Sequence, residues 1–118
     1  MKSLDDTLGE LYEIISNRRT EDPKTSYTAL KFSKGTDHIA KKIGEEATEV
    51  AIAAARRNST EIISESSDLL FHLLVLWVDQ DISPSEVFAE LERRRGVSGL
   101  TEKESRRASK KGIVKEGQ

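Results

Sequence analysis

"KIGEEATEVAIAA", residues 42–54, decides the fold. Read outward from it, the apolar positions Ile39, Ile43, Ala47, Val50 and Ala54 recur at three- and four-residue steps, the period of an amphipathic helix. Thr36 or Asp37 can cap its start, and the polar break at Arg57 and Asn58 ends it. The same helix carries Glu45, Glu46 and Glu49. At about 100° per residue, Glu45 and Glu49 lie about 40° apart and Glu46 about 60° beyond Glu49, so all three share one side. Like charges at such spacing cost an isolated helix about 0.2–0.5 kcal/mol per pair, and more when partly buried, so a positive partner is expected. Gly44, in the helix interior, costs about 1 kcal/mol against alanine and suggests close approach of a neighbouring backbone or ligand.

The flanking sequence is helical in the same way. Leu4, Leu8, Leu11, Tyr12 and Ile15 make one stripe between Ser3 and Arg19, with Ser3 as cap and Asp5 and Asp6 in the first turn. A polar loop holding Pro23 follows, and Ser26 then opens a short helix that stops at Gly35. Asn58 with Glu61 matches a capping box and starts a helix to about Gln80. Its second half, "LLFHLLVLWV", is apolar almost all round and must be covered on every side, which in so short a chain implies packing against a second copy. Ser83, Pro84 and Glu86 start a last helix that ends near Arg95, where Arg93, Arg94 and Arg95 complement the dipole. The expected fold is all-α: a bundle of four to five helices completed by homodimerisation, with one domain over residues 1–96. After Gly96 the pattern fails, and residues 97–118 read as a mobile or locally docked tail.

Composition sets the boundaries. A chain of 118 residues with only two prolines, few aromatic residues and abundant alanine, leucine, glutamate and lysine favours one helical domain. The net charge of −2 gives no global basic field, so nucleic acid is not an expected partner. The absence of cysteine excludes disulfides, thiolate metal sites and cysteine nucleophiles. With no leader-like segment and no apolar run long enough to span a bilayer, a cytoplasmic location and no membrane partner are expected.

A second acidic face lies in "ESSDLLFH", residues 65–72, where Glu65 and Asp68 are about 60° apart and His72 returns to within about 20° of Glu65. The short connection at Arg57 to Thr60 makes the two acidic helices antiparallel neighbours and lets Glu45, Glu46, Glu49, Glu65 and Asp68 converge. Carboxylates without cysteine suit a hard cation, Mg²⁺ or Mn²⁺, whose usual companion in an enzyme is a polyphosphate. His72 among leucines is more often a core residue than a site residue. Lys41 and Lys42 form a basic pair beside the acids, and phosphate contact is open to one of them.

The blocks "SYTALKFSKGTDHIAKKIGEEATEVAIAA" (26–54), "ESSDLLFHLLVLW" (65–77) and "VFAELERR" (87–94) resemble, in order and spacing, the phosphoribosyl-ATP pyrophosphatase family over about residues 4–95. "EExxE" followed by "ExxD" alone indicates only the wider all-α nucleoside triphosphate pyrophosphatases, the MazG-like and dUTPase-like housecleaning enzymes, which stand as the alternative. The resemblance implies a Mg²⁺-dependent helical dimer that cleaves phosphoribosyl-ATP to phosphoribosyl-AMP and pyrophosphate in histidine biosynthesis. It places metal-binding acids on Glu45 or Glu46, Glu49, Glu65 and Asp68. Beyond what the resemblance implies, an acid outside the metal's hold, Glu46 or Glu49, can accept the water's proton, and Lys31, Lys34 and Lys42 are candidate phosphate contacts. Ser66 and Ser67 stand where the family usually has alanines, and Phe71 where it often has tyrosine, departures that bear on packing more than on chemistry. Tyr27 is expected to pack in the core in preference to stacking on a base.

Overall fold

The computed structural model describes residues 2–96, 103–104 and 106–108. Helix α1 (Leu4–Arg18) opens at Ser3, whose Oγ accepts the Asp6 N–H at 3.1 Å, as its sequence predicts. Helix α2 (Tyr27–Lys34) opens at Ser26, whose Oγ accepts the Ala29 N–H at 3.1 Å. It stops at Gly35, which has φ of 92°, a conformation open to glycine and costly for most other residues.

Helix α3 (Thr36–Ala55) follows at once, and here the expected cap is corrected. Gly35 itself is the N-cap and no side chain caps the helix. With one residue separating α2 from α3, Thr36 is already helical, and its Oγ1 donates to Asp79 Oδ2 at 2.7 Å instead. That bond ties the start of α3 to the end of α4 (Ser59–Asp79), whose own start is capped by Asn58 Oδ1 accepting the Glu61 N–H at 3.1 Å. Arg57, at φ 53°, takes the left-handed conformation that turns the chain from α3 into α4.

The α3–α4 pair is the main contact of the fold, α1 packs on α4, and α2 lies against both α3 and α4. Ile15, Ile39, Leu74, Val75 and Val78 form the core, with Leu8, Leu11, Tyr12, Phe32 and Ile43 around them. Arg19 fastens three elements: its guanidinium lies 5.3 Å from the centre of the Phe32 ring and donates to the Val78 carbonyl at 3.1 Å, satisfying a group at the end of α4.

The buried line of α3 differs from the expected stripe. Ile39, Ile43, Glu46, Val50 and Ala53 are buried or half-buried, whereas Ala47 and Ala54 are exposed. Alternating steps of four and three keep a helix aligned with one long partner, which is α4. Gly44 is also corrected: it is exposed, and a Cβ there would meet nothing within 4 Å among the described residues, so it marks no close approach.

The apolar half of α4 is taken up largely by the chain itself, with Leu74 and Val75 fully buried and Val78 nearly so. Within that half Leu70 stays 46% exposed, and further apolar surface remains on Ile63 (69%) of α4, Ile52 (42%) of α3, and Leu4 and Ile14 of α1. The chain divides into two compact units, Met1–Pro84 and Ser85–Gln118. The first contains α1 to α4. Helix α5 (Pro84–Arg94) belongs almost wholly to the second, with Glu86 in its first turn and Arg93 and Arg94 in its last. The expected tail, residues 97–118, lies for the most part outside the described residues; Lys103, Glu104 and Arg106 to Ala108 have helical backbone. Among the described residues no helix is long and apolar enough to cross a membrane.

Candidate active site

Glu46 lies on the packing line of α3 itself. Across from it, Ile62, Glu65, Leu69, His72 and Leu76 form the matching line of α4, all buried or half-buried. Two carboxylates are thereby set into a helix interface that is otherwise apolar save for His72. Glu46, Glu65 and Asp68 each bring one oxygen within 4.8 Å of the others, with Glu46 and Glu65 half-buried and Asp68 exposed. Desolvation pushes the Glu65 carboxyl above its ordinary value, and the charges of Glu49 and Asp68 push it further, as does the neighbouring Glu46. Three acids therefore act on Glu65: Glu46 and Glu49 from across the α3–α4 seam, and Asp68 from α4 itself.

Of the five acids that the sequence nominates, the structure brings three into oxygen-to-oxygen proximity. Glu49, exposed and one turn along from Glu46, reaches the group through its field on Glu65. Glu45 does not join it. Its carboxylate pairs with Lys42 at 3.2 Å, and that ammonium lowers the Glu45 carboxyl while Glu45 raises the Lys42 amine. Adjacent residues point about 100° apart on a helix, and only Glu46 is on the side that faces α4.

The donor set fits a hard divalent cation. With Mg–O distances of about 2.0–2.1 Å, oxygens on opposite sides of the ion are about 4.2 Å apart, a separation reached from the observed trio by small side-chain adjustments. Anionic oxygens in excess, with no thiolate, select Mg²⁺ or Mn²⁺ over softer ions.

One turn before the acids, α3 and α2 carry a basic group. Lys34, Lys31, Lys42 and Lys41 all act on His38, whose imidazole is lowered first by desolvation and then by these four charges; its Nε2 is buried without a hydrogen-bond partner among the described residues. Lys34 is exposed and Lys42 half-buried. Lys31 is only 4% exposed, with its Nζ 4.5 Å from the centre of the Tyr27 ring. The sequence reading passed over His38, although His38 and Lys42 are spaced by four on α3 and share a helix face.

His72 is a core residue, 4% exposed, as the more common reading of a histidine among leucines has it. It also touches the site indirectly: the Nδ1–H donates to the Asp68 carbonyl at 3.0 Å, and the ring meets Phe71 edge-on at 5.2 Å. Tyr27 corrects its expectation. It is 59% exposed, because it is the first residue of α2 and lies outside the core that the later turns of that helix face.

Comparison with known proteins shows what the chain is similar to. The sequence profile of the family described as phosphoribosyl-ATP pyrophosphohydrolase matches residues 8–95. The chain is 50% identical over 99 residues to the phosphoribosyl-ATP pyrophosphatase of Paramagnetospirillum magneticum, covering 84% of this chain and 91% of that one. It is 52% identical over 106 residues to the phosphoribosyl-ATP pyrophosphatase of Geobacter sulfurreducens, covering 90% and 98%. For the like-named protein of Azospirillum brasilense the figures are 46% over 101 residues, 86% and 91%.

Proposed function

The chain belongs to the phosphoribosyl-ATP pyrophosphohydrolase family, and on that premise we propose that it hydrolyses 1-(5-phosphoribosyl)-ATP to 1-(5-phosphoribosyl)-AMP and pyrophosphate, the second step of L-histidine biosynthesis, with Mg²⁺ as cofactor. The observation that carries this reading is the convergence of Glu46, Glu65 and Asp68 within 4.8 Å on two packed helices.

Glu46, Glu65 and Asp68 would hold the ion, which when bound neutralises the triphosphate and polarises its phosphoryl oxygens. The chain's own work is to place charge. Lys34 and Lys42, with Lys31 behind them, supply cations for the phosphates, so that α3 presents positive charge in its first half and negative charge in its middle. A water oxygen attacks the α-phosphorus, the bond from that phosphorus to the α,β-bridging oxygen breaks, and pyrophosphate departs with the electron pair. The water's proton passes to Glu49, a role supported by its position outside the trio and beside it, with an exposed carboxyl group. Glu46, the other candidate base, is engaged as a ligand. A homodimer in the cytoplasm belongs to the same reading, supported by the exposed apolar side chains of Ile52, Ile63 and Leu70.

Pyrophosphate release from phosphoribosyl-ATP, measured with Mg²⁺ and again after chelation, tests the activity. Release that depends on the ion and exceeds that from dUTP and dCTP is expected. Preference for a deoxynucleotide would overturn the substrate and leave the housecleaning alternative.

A further inference from the structure

Tyr27 is a large aromatic residue left in solvent beside a charged site, and its position has a chemical consequence. The buried Lys31 backs one face of the ring, with Nζ 4.5 Å from its centre, so the exposed surface is on the remaining face and edge. The Phe71 ring stands next to it, centroids 6.3 Å apart and tilted by 31°. Together they flank a cavity of about 520 Å³, a size that suits a nucleoside, with Arg18 and Glu21 on its walls. Phe71 follows Asp68 by three residues on α4, about 4.5 Å further along the axis and on nearly the same face. The aromatic cavity is thus adjacent on α4 to the acidic trio.

Resting on the activity assigned above, we propose that this cavity binds the purine of the substrate together with its N1-linked ribose phosphate, and so is where the enzyme distinguishes its substrate from ATP. A flat base stacks on the Tyr27 ring with Phe71 at its side. Alkylation at N1 turns adenine into an amidine that is cationic when protonated. Such a ring favours an aromatic face and a carboxylate, which Tyr27 and Glu21 provide. The arm's phosphate meets the Arg18 guanidinium. ATP, which lacks both the arm and the positive ring, gains only the stacking.

The experiment uses phosphoribosyl-AMP, which keeps the base and the arm but lacks pyrophosphate, and AMP, which lacks the arm. Both are measured as inhibitors of the full-length enzyme, and their binding is measured directly by calorimetry. Tyr27→Ala should raise the inhibition constant of phosphoribosyl-AMP by about tenfold or more, with the loss in turnover falling on KM and not on kcat. Tyr27→Phe, which keeps the ring, should recover most of the affinity. Arg18→Gln should weaken phosphoribosyl-AMP but not AMP. Unchanged inhibition and KM in Tyr27→Ala, with helicity intact by circular dichroism, would overturn the base assignment. Equal weakening of both inhibitors by Arg18→Gln would overturn the arm assignment. Failure of the wild-type enzyme to hydrolyse phosphoribosyl-ATP would instead strike the activity, and the calorimetric affinities would still decide the cavity.

Discussion

Glu45 and Glu46 are neighbours in the chain with opposite surroundings. Glu46 lies in the seam between α3 and α4 and shares its space with Glu65 and Asp68, whereas Glu45 is spent on Lys42 at an exposed ion pair. Glu46→Gln and Glu65→Gln should therefore each lower turnover on the order of 100-fold, while Glu45→Gln leaves it within about threefold, because an exposed pair of this kind contributes little. Steady-state pyrophosphate release separates the three variants. Glu65→Gln has a second expected outcome. Its carboxyl is raised by desolvation and by the charges of Glu49 and Asp68, so its ionised form is disfavoured in the fold, and the neutral variant should melt at a higher temperature than wild type when no metal is added. Differential scanning fluorimetry in chelator checks the sign. The sequence announces the acids themselves by charge crowding on one helix side. It does not reveal which of two adjacent glutamates faces inward, because the stripe Ile39, Ile43, Ala47, Val50 and Ala54 and the observed line Ile39, Ile43, Glu46, Val50 and Ala53 differ by one residue at two steps. The long contact with α4 makes the choice, and that contact is a tertiary fact.

At the scale of elements, the helix ends with side-chain caps were legible and the one without was not. Ser3, Ser26 and Asn58 each accept an N–H three residues on, as local chemistry dictates. Thr36 has the right side chain for a cap, but the tight left-handed turn at Gly35 takes the position, and Asp79 takes the hydroxyl. Asn58 holds the start of α4 at the turn that sets Glu65 opposite Glu46. Asn58→Ala should cost about 1 kcal/mol of stability in urea unfolding, and a change below a few tenths would show that packing alone fixes the turn. Helix α5 offers a pH test. Arg93 and Arg94 hydrogen-bond Glu90 and hold its carboxyl at about 2, below the 4.5 of an unperturbed glutamate. A lowered folded value means that the stabilisation is present above 4.5 and is lost as pH falls through about 2. A carboxyl NMR titration should place the Glu90 midpoint near 2, with α5 amide signals moving at the same midpoint. A midpoint near 4.5 would mean that the arginines are solvated separately.

For the whole molecule, the distribution of apolar surface decides how many chains make the particle. The sequence argues for a second copy from the all-round apolar half of α4, yet Leu74, Val75 and Val78 are buried by α1 and α3 of the same chain. The need for cover that remains falls on Leu70 of that half and on positions outside it. Ile63 and Leu70 on α4 and Ile52 on α3 remain exposed, and Ile52 and Ile63 stand near the α3–α4 turn, Ile52 within the alanine-rich end of α3. Large β-branched side chains left in water near one end of a helical pair are better accounted for by an isologous partner than by solvent. Light scattering at micromolar concentration should give twice the chain mass. Ile63→Asp, a charge placed on the residue with the most exposed apolar surface of the three, should shift the particle towards a single chain. Because Ile63 is outside the core, the isolated chain should keep its helicity by circular dichroism. An Ile63→Val variant, which keeps the apolar character, should stay at the wild-type mass, whereas a wild-type chain that runs as a monomer would remove the partner altogether. If Ile63→Asp dissociates the particle and also loses pyrophosphate release while Ile63→Val keeps both, assembly and turnover are linked through the α3–α4 pair that carries the acids.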